Sequence, residues 1–196
     1  QRNFFLSSLT TVITLFTTSH LNLTQSTKVD LFTISGTKYH IRQWAEHKDR
    51  ILDMIPNQND FDNHIKFTDY MEESSSNYKE DVLFLLQPYL NDFYQRSSYK
   101  FKGIANMWCQ RYDARDYFVP HDHGSMGYSA ILYAKLTDDH KSTLFFSPFN
   151  DEHGCHPCYS PGVVEGDLFF FPANLMHTAL PHDSEEERVI ISFNLI

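Results

Sequence analysis

Several residue types and motifs are scarce in this chain of 196 residues, and each scarcity excludes a class of protein. Three cysteines are too few for the disulfide framework of a small secreted domain. No apolar run reaches the roughly 20 residues that a membrane-spanning helix requires. The chain also lacks a glycine-rich phosphate-binding loop and a serine or cysteine nucleophile in a recognisable motif. We therefore expect neither a membrane protein, nor a P-loop protein, nor a serine or cysteine hydrolase.

Positive charge is scarce as well. The 16 lysines and arginines are outnumbered by 25 aspartates and glutamates, which gives a formal net charge of −9. This balance argues against a nucleic-acid or anionic-membrane partner, although it leaves room for a local basic patch around Arg111 and Arg115. With so few cysteines, a reducing, cytoplasmic setting is the simplest expectation.

Aromatic residues, by contrast, are abundant. The chain has 17 phenylalanines and 11 tyrosines, and 41% of its residues are hydrophobic. Such a composition is typical of a globular, β-rich protein with a large aromatic core. The length predicts a single domain.

The first half of the chain predicts a support for a sheet. Residues 1–30 are rich in serine and threonine, which suggests an N-terminal extension or an edge strand. Asp30 to His40 alternates apolar and polar residues as a strand does, and Arg42 to Ile55 has helical spacing. Tyr78 to Tyr94 carries one apolar stripe and predicts the longest helix. We therefore expect residues 31–98 to provide helical support.

The second half has a different pattern. From Tyr99 onward, short apolar runs alternate with turn residues, and six of the seven glycines lie beyond residue 100. This pattern indicates an all-β sandwich or barrel over residues 99–196. No internal repeat or long linker divides the chain.

Histidines in the second half predict a metal site. His121 and His123 stand two positions apart after an extended run, so both imidazoles project to the same side of a strand. His177 follows a buried strand farther along the chain. A close pair and one distant histidine are a usual way for an antiparallel barrel to build a three-ligand site with open positions.

The order of these motifs resembles a known enzyme superfamily. Along the chain stand His121-Asp-His123, the run GDLFFFP at residues 166–172, His177, and an Arg188-x-x-x-Ser192-x-Asn194 pattern. This order resembles the iron- and 2-oxoglutarate-dependent oxygenases, in particular the prolyl-hydroxylase-like branch and its bacterial and viral relatives. The resemblance covers about residues 106–195. It implies a mostly β fold, a double-stranded β-helix (jelly roll) with supporting N-terminal helices, and Fe(II) and 2-oxoglutarate as cofactors.

One position departs from the pattern of that superfamily. An aspartate or glutamate is expected where this chain has His123. Asp122 offers a carboxylate next door, but strand alternation directs it to the opposite side. We therefore predict His121, His123 and His177 as metal ligands, with Asp122 as the fallback ligand or as a residue that orients a ligand.

The resemblance also implies a site for the cosubstrate. Arg188 would hold the distal carboxylate of 2-oxoglutarate, and Tyr133 and Tyr112 match tyrosines near that molecule. Ser192 shares a strand face with Arg188 by the period-two rule. Alternatively, Arg188 forms a surface ion pair with residues 185–187, and the tyrosines only pack in the core.

Cys155 and Cys158 have the spacing of half a zinc site or of a redox pair. No second pair at a matching distance completes a zinc site, so a turn-rich loop is the favoured interpretation and a structural zinc the alternative.

These observations predict a dioxygenase that hydroxylates an unidentified substrate, such as a peptidyl side group, with Fe(II), O₂ and 2-oxoglutarate. Two alternatives stay open. Three histidines are also typical of cupin-like dioxygenases that do not use 2-oxoglutarate, and a jelly roll can serve as a binding module without catalysis. The oligomeric state is not legible in the sequence.

Overall fold

Ten strands form two antiparallel sheets in the computed structural model, which describes residues 33–57, 65–71 and 77–196. The predictions for residues 1–30 lie outside the described residues. The helices are α1 (Trp44–Asp53) and α2 (Tyr78–Arg96). The strands are β1 (Thr37–His40), β2 (Phe67–Thr68), β3 (Ile104–Tyr112), β4 (Phe118–His121), β5 (Tyr128–Lys135), β6 (Thr143–Phe146), β7 (Cys158–Tyr159), β8 (Asp167–Pro172), β9 (His177–Ala179) and β10 (Arg188–Leu195).

The order of the strands is that of a jelly roll. The larger sheet has the order β1-β8-β5-β10-β3-β2, and the smaller sheet has the order β4-β9-β6-β7. Strands β3 to β10 supply four strands to each sheet, so eight strands make the two faces of a double-stranded β-helix. This confirms the predicted mostly β jelly roll with supporting helices. Besides the helices, the segment predicted as support adds β1 and β2 at the two edges of the larger sheet.

The larger sheet is buried on both faces. On one face, residues such as Leu132, Phe170 and Ile191 pack with Leu86 and Phe93 of helix α2. The Phe93 and Phe170 rings stack with centroids 4.1 Å apart. Coverage of both faces explains why β5 is almost continuously apolar rather than alternating.

The opposite face of the larger sheet encloses the interior of the jelly roll with the smaller sheet. Ile131, Tyr133, Phe145, Phe171 and Ile190 meet there in a second buried cluster. Strand alternation decides which residues enter this interior. On β3, Cys109 belongs to the cluster under the helices, whereas Tyr112 belongs to the interior cluster.

The local basic patch for which the charge balance left room does not form around Arg111. Arg111 is buried, pairs with Glu187 at 2.7 Å and donates to the Leu52 and Ile55 carbonyl oxygens at the end of helix α1. The helix layer covers this face of β3, so the guanidinium ties α1 to the sheet instead of meeting solvent. Arg115 lies exposed in the turn after β3.

Neither of the helices in the described residues has both the length and the apolarity that a membrane crossing would require.

Candidate metal centre

Three histidines converge at one end of the jelly-roll interior. Strands β4 and β9 pair antiparallel with His121 opposite His177, which brings their rings to 4.3 Å. His123 follows two residues after His121, where its backbone N–H donates to the Ala173 carbonyl oxygen at 2.8 Å. Its ring lies 5.2 Å from that of His121 and 4.9 Å from that of His177. One ring nitrogen from each residue lies within 4.8 Å of the others, and the described residues contain no second such group of three or more His, Cys, Asp or Glu.

Hydrogen bonds fix which nitrogen of each ring faces the shared point. The Nδ1–H groups of His121 and His177 donate to the carbonyl oxygens of Val119 and Leu175, both at 2.9 Å. Carbonyl oxygens only accept, so each of these rings keeps its proton on Nδ1 and a lone pair on Nε2.

His123 is oriented by a side chain instead. Its Nδ1–H donates to Asn194 Oδ1 at 2.7 Å, and this oxygen also accepts from the Ser129 hydroxyl at 2.7 Å. The Asn194 amide nitrogen donates to Asn106 Oδ1 at 2.9 Å, which sets the orientation of the amide. All three histidines therefore present Nε2 lone pairs, the arrangement that outer hydrogen bonds produce around metal-binding histidines.

The three imidazoles are neutral near pH 7. Burial lowers the pKa of each, and for His177, the most enclosed, burial and the neighbouring His121 lower the pKa to about 3. A neutral imidazole can ligate a metal without first losing a proton. The cluster is therefore prepared for a cation and poorly suited to being protonated.

Asp122 lies outside the histidine group. It is exposed, and its Oδ1 accepts the Gly124 N–H at 3.0 Å. The group of possible ligands contains His121, His123 and His177 but not Asp122. The geometry thus favours three nitrogen ligands over two nitrogens and a carboxylate.

A narrow inner cavity continues from the histidines into the jelly roll. Its lining includes Tyr112, Thr143 and Ser192 together with the three histidines. Ser192 is buried on the interior face of β10. Burial raises the pKa of the Tyr112 hydroxyl, which stays protonated at neutral pH. The cavity thus has three hydroxyl-bearing residues in its lining together with the three histidines.

Arg188 is a buried cation beside this cavity. Its side chain is only 2% exposed, and it stacks on the Tyr112 ring with Cζ 4.4 Å from the ring centroid. Nη1 donates to the carbonyl oxygens of Lys141 and Leu180 at 2.6 and 3.0 Å, whereas Nη2 has no hydrogen-bond partner among the described residues. No carboxylate in the described ranges pairs with it; the expected alternative, an ion pair with residues 185–187, is not formed. The Asp116 carboxylate acts on Arg188 electrostatically but forms no ion pair with it. A buried guanidinium without a direct ion pair is costly, which is consistent with a site for an anionic ligand.

Tyr133 lies in the same interior cluster. Its hydroxyl donates to Thr143 Oγ1 at 3.0 Å, and burial raises its pKa to about 12. Thr143 itself lines the inner cavity, so Tyr133 reaches that cavity through Thr143. Tyr133 thus stands behind the cavity wall, whereas Tyr112 forms part of it.

A larger outer cavity of about 420 Å³ borders His121 and His123 on the solvent side. Its described lining comprises Ile65, Thr68, Tyr70, Met71, Trp108, Gln110, Phe118, His121, Asp122, His123 and Asn194. Trp108 and Gln110 line both the outer and the inner cavity. A ligand in the outer cavity would therefore lie against the histidine cluster.

Cys155 and Cys158 are both free and exposed in the segment from β6 to β7. Asp151 organises this loop by accepting the N–H groups of His153 and Cys155 at 2.9 and 2.8 Å. The described residues show no metal-binding cluster here, so the favoured prediction of a turn-rich loop fits the geometry better than a structural zinc site.

Three residues of the site were not predicted from the sequence. Asn194 stands in the Arg188-x-x-x-Ser192-x-Asn194 pattern, but nothing in the sequence places it beside His123, and Trp108 and Gln110 belong to none of the predicted motifs. Their signal was the alternation of β3, since both lie an even number of residues before Tyr112, a predicted cosubstrate residue.

Comparison with known proteins identifies the class. Residues 106–194 match the model of a family described as "Putative 2OG-Fe(II) oxygenase". No curated protein matches the chain. The family match supports the superfamily that the motifs predicted, the 2OG-Fe(II) oxygenases, an enzyme class that uses iron and 2-oxoglutarate. Three Nε2 donors and a buried guanidinium without a counterion among the described residues fit these two groups.

Solved structures share the fold across most of the chain. A prolyl-4-hydroxylase from Pseudomonas putida is 16% identical, with a TM-score of 0.52 over 83% of this chain and 92% of that one. A prolyl hydroxylase from Trichoplax adhaerens, solved with a peptide fragment of hypoxia inducible factor, is 11% identical, with a TM-score of 0.58 over 84% of each chain. The epimerase SnoN from nogalamycin biosynthesis, solved with Fe³⁺, α-ketoglutarate and nogalamycin RO, is 11% identical, with a TM-score of 0.58 over 83% and 79%.

Proposed function

We propose that this oxygenase hydroxylates a side chain of a peptide substrate, with Fe(II) held by the Nε2 atoms of His121, His123 and His177. The observation that carries the proposal is the convergence of three neutral imidazoles at one point, each with Nδ1 already committed to a protein oxygen. Iron with 2-oxoglutarate and O₂ supplies the oxidising power: 2-oxoglutarate becomes succinate and CO₂ and takes one oxygen atom, and the other enters a substrate C–H bond.

Arg188 is the proposed partner of the distal carboxylate of 2-oxoglutarate. A guanidinium keeps its charge even when burial lowers its pKa, and Nη2 is without a partner among the described residues. The Tyr112 ring stacks on the guanidinium plane, and Ser192 and Thr143 line the same inner cavity. Tyr133 has an indirect role in binding 2-oxoglutarate, because its hydroxyl donates to the Thr143 hydroxyl and so orients it.

The interior residues also exclude water from the reaction. Ile131, Ile190 and Ala179 form an apolar wall around the inner cavity. A dry environment strengthens the interaction between a buried guanidinium and a carboxylate. The outer cavity leaves the approach to His121 and His123 open for a substrate. A peptide is the proposed class because the relative from Trichoplax adhaerens was solved with a peptide fragment.

Three histidines also favour a second candidate. Cupin-like dioxygenases bind their substrate at a three-histidine metal and need no 2-oxoglutarate, and His123 stands where most members of the assigned superfamily have a carboxylate. In that case Arg188 would pair with an anionic group of the substrate instead.

Anaerobic titration of Fe(II) with and without 2-oxoglutarate distinguishes the two candidates. We expect iron-loaded protein to develop a visible charge-transfer band when 2-oxoglutarate is added, and to release CO₂ from it once air is admitted. Iron-loaded protein that neither binds nor decarboxylates 2-oxoglutarate would favour the cupin-like candidate.

The ligand set is tested with a matched pair of variants. His123→Ala should lose stoichiometric iron because one of three donors is gone, whereas Asp122→Ala should keep it. Metal analysis after gel filtration measures both. Iron loss in Asp122→Ala with retention in His123→Ala would assign a site of two histidines and one carboxylate.

A further inference from the structure

The residues that line the outer cavity indicate which kind of ligand it binds, which neither the fold nor the metal site does. Its volume of about 420 Å³ suits a small molecule or an inserted side chain. It ends at His121 and His123, so whatever group fills it lies beside the metal centre. The charges and hydrogen-bonding groups that line the cavity therefore indicate the chemical class of the substrate.

The described lining of this cavity carries charge of one sign. Among the described residues that line it, Asp122 is the one carboxylate, and none is a lysine or an arginine. Asp122 Oδ1 accepts the Gly124 N–H, while Oδ2 has no partner in the described ranges. The formal charge of the whole protein is −9. Both the local and the overall field favour a cation and repel an anion.

Gln110 provides an independent sign of a polar ligand. Its side chain is only 7% exposed and faces both cavities, yet its amide has no hydrogen-bond partner among the described residues. The amide is not one of the fully buried polar atoms without a partner, so it remains accessible from the cavities that Gln110 lines. The amide oxygen of Gln110 is thus available as an acceptor at the inner end of the outer cavity.

Aromatic rings form the rest of the recognition surface. The Trp108 and Tyr70 rings meet edge to face with centroids 5.0 Å apart. Faces of such rings pack well against methylene groups and attract ammonium or guanidinium groups. Tyr70 and Met71 are 54% and 72% exposed, so they also give the mouth of the cavity an apolar rim that flanking peptide residues can cover.

We propose that the outer cavity binds the side chain of a basic residue, lysine or arginine, within a peptide substrate. Trp108 and Tyr70 pack against its methylene groups, Asp122 supplies the countercharge, and the Gln110 amide oxygen accepts one of its N–H groups. The proposal rests on the proposed function, since it names the substrate class of the same site. Each turnover converts one C–H bond of the bound residue to C–OH and consumes one O₂ and one 2-oxoglutarate, with succinate and CO₂ as the other products.

The test is binding of five capped peptides, acetyl-Gly-Gly-X-Gly-Gly-amide, with X as lysine, arginine, norleucine, proline or glutamate. Calorimetry measures affinity for metal-free protein and, under anaerobic conditions, for protein with Fe(II) and 2-oxoglutarate. We expect the lysine and arginine peptides to bind at least threefold more tightly than the norleucine peptide, which has a similar apolar side group without charge. The glutamate peptide should bind most weakly.

Variants assign the selectivity to the cavity. Asp122→Asn should bring the ratio of lysine to norleucine affinity close to one, and Gln110→Leu should lower the affinity for the lysine peptide about two- to tenfold, the range of one hydrogen bond. Asp138→Asn removes an exposed carboxylate that does not line the cavity and should leave the ratio unchanged.

Tryptophan fluorescence locates the bound peptide. The protein has two tryptophans, and Trp44 is buried away from the cavity, where it donates to the Ala134 carbonyl oxygen. We expect the lysine peptide to change the fluorescence of wild type and to leave that of Trp108→Phe unchanged. A response that persists in Trp108→Phe would place the peptide outside the cavity.

Each outcome of the binding experiments decides a separate point. Equal binding of the lysine and norleucine peptides, tighter binding of the proline or glutamate peptide, or an unchanged ratio in Asp122→Asn would overturn the proposal. If free n-hexylamine bound as tightly as the lysine peptide, the assignment to a peptide would be wrong. Selective binding by metal-free protein that takes up no iron would support the cavity assignment while the proposed oxygenase function fails.

Discussion

At the scale of single residues, hydrogen bonds to protein oxygens determine the chemistry of the metal centre. Each Nδ1–H of the three histidines has its own acceptor, two of them backbone carbonyls and one the amide of Asn194. The backbone acceptors lie two residues before His121 and His177, so local geometry orients these rings. His123 depends instead on a residue from β10, which couples the metal centre to the interior face of the larger sheet.

Arg188 gives the sharpest prediction at this scale. Arg188→Ala should weaken 2-oxoglutarate binding by roughly 10- to 200-fold, because a charge-assisted hydrogen bond contributes about 1.5–3 kcal/mol. Arg188→Lys should recover part of that loss, since an ammonium keeps the charge but not the planar fork. Titration of the iron-loaded variants by the charge-transfer band measures the affinity.

Iron binding is the control for both Arg188 variants and should be unchanged, because Arg188 is not one of the residues of the histidine group. Thermal unfolding should be measured alongside, because the alanine variant leaves the Lys141 and Leu180 carbonyl oxygens without their donor. Unchanged 2-oxoglutarate affinity in a folded, iron-loaded Arg188→Ala protein would refute the assigned pocket.

At the scale of elements, the junction of β5 and β10 holds the site together. Ser129 and Asn194 are register partners across these strands, and both join the hydrogen-bond group around His123. Gly127 enters β5 with φ +93°, and a Cβ there would collide with the Leu195 carbonyl oxygen of β10. The close approach of the two backbones thus requires glycine at this position.

Gly127→Ala should therefore destabilise the fold by more than backbone strain alone. Gly124→Ala is the matched control: Gly124 has φ +105°, but nothing in the described residues lies within 4 Å of an added Cβ. We expect Gly124→Ala to cost about 1–3 kcal/mol of unfolding free energy from backbone strain. Gly127→Ala should cost about 1–3 kcal/mol more from the collision. Equal urea midpoints for the two variants would show that the β10 backbone shifts to make room for the added Cβ at little cost in stability.

At the scale of the whole molecule, the helix layer and the two sheets divide the buried charges between two compartments. Arg111, Glu187 and Lys66 form ion pairs on the helix side, whereas Arg188 and the three histidines occupy the interior without a carboxylate partner among the described residues. On the helix side, the buried charges are balanced by other groups of the protein. The interior is not, which leaves it dependent on a metal and an anion for full stability.

This division predicts how the stability of metal-free protein depends on pH. Burial lowers the pKa of His177 to about 3 and lowers those of His121 and His123, so these groups bind fewer protons in the folded state than in the unfolded one. Their contribution is fully present above the unfolded pKa of about 6.5 and is lost as pH falls below it. His177 alone contributes a slope of up to about 1.4 kcal/mol per pH unit between pH 6 and pH 4.

Unfolding by urea between pH 7.5 and pH 5 measures this slope. His177→Asn should be less sensitive to pH than wild type across that range, since one group with a lowered pKa has been removed. A pH profile identical in wild type and His177→Asn would show that His177 is not buried in its neutral form.

The sequence by itself determined the elements and showed the resemblance to the superfamily. Apolar periodicity located the helices near residues 42–55 and 78–94, and turn residues with short apolar runs indicated the jelly roll after residue 99. These signals are local, because a strand or a helix shows its period within its own residues. Local alternation was also enough to separate His123 from Asp122, since neighbours on an extended backbone project to opposite sides.

Only the tertiary structure decided which distant groups meet. The register of β4 against β9 places His121 opposite His177, and that of β10 against β5 brings Asn194 to His123. Arg111 and Arg188 both lie in apolar strands. Arg111 pairs with Glu187 on the side of the helices, whereas Arg188 forms no ion pair with any described residue, and its Nη2 has no hydrogen-bond partner there. Pairing across sheets and layers joins residues that are far apart in the sequence. The periodicity of a single element therefore cannot predict these contacts.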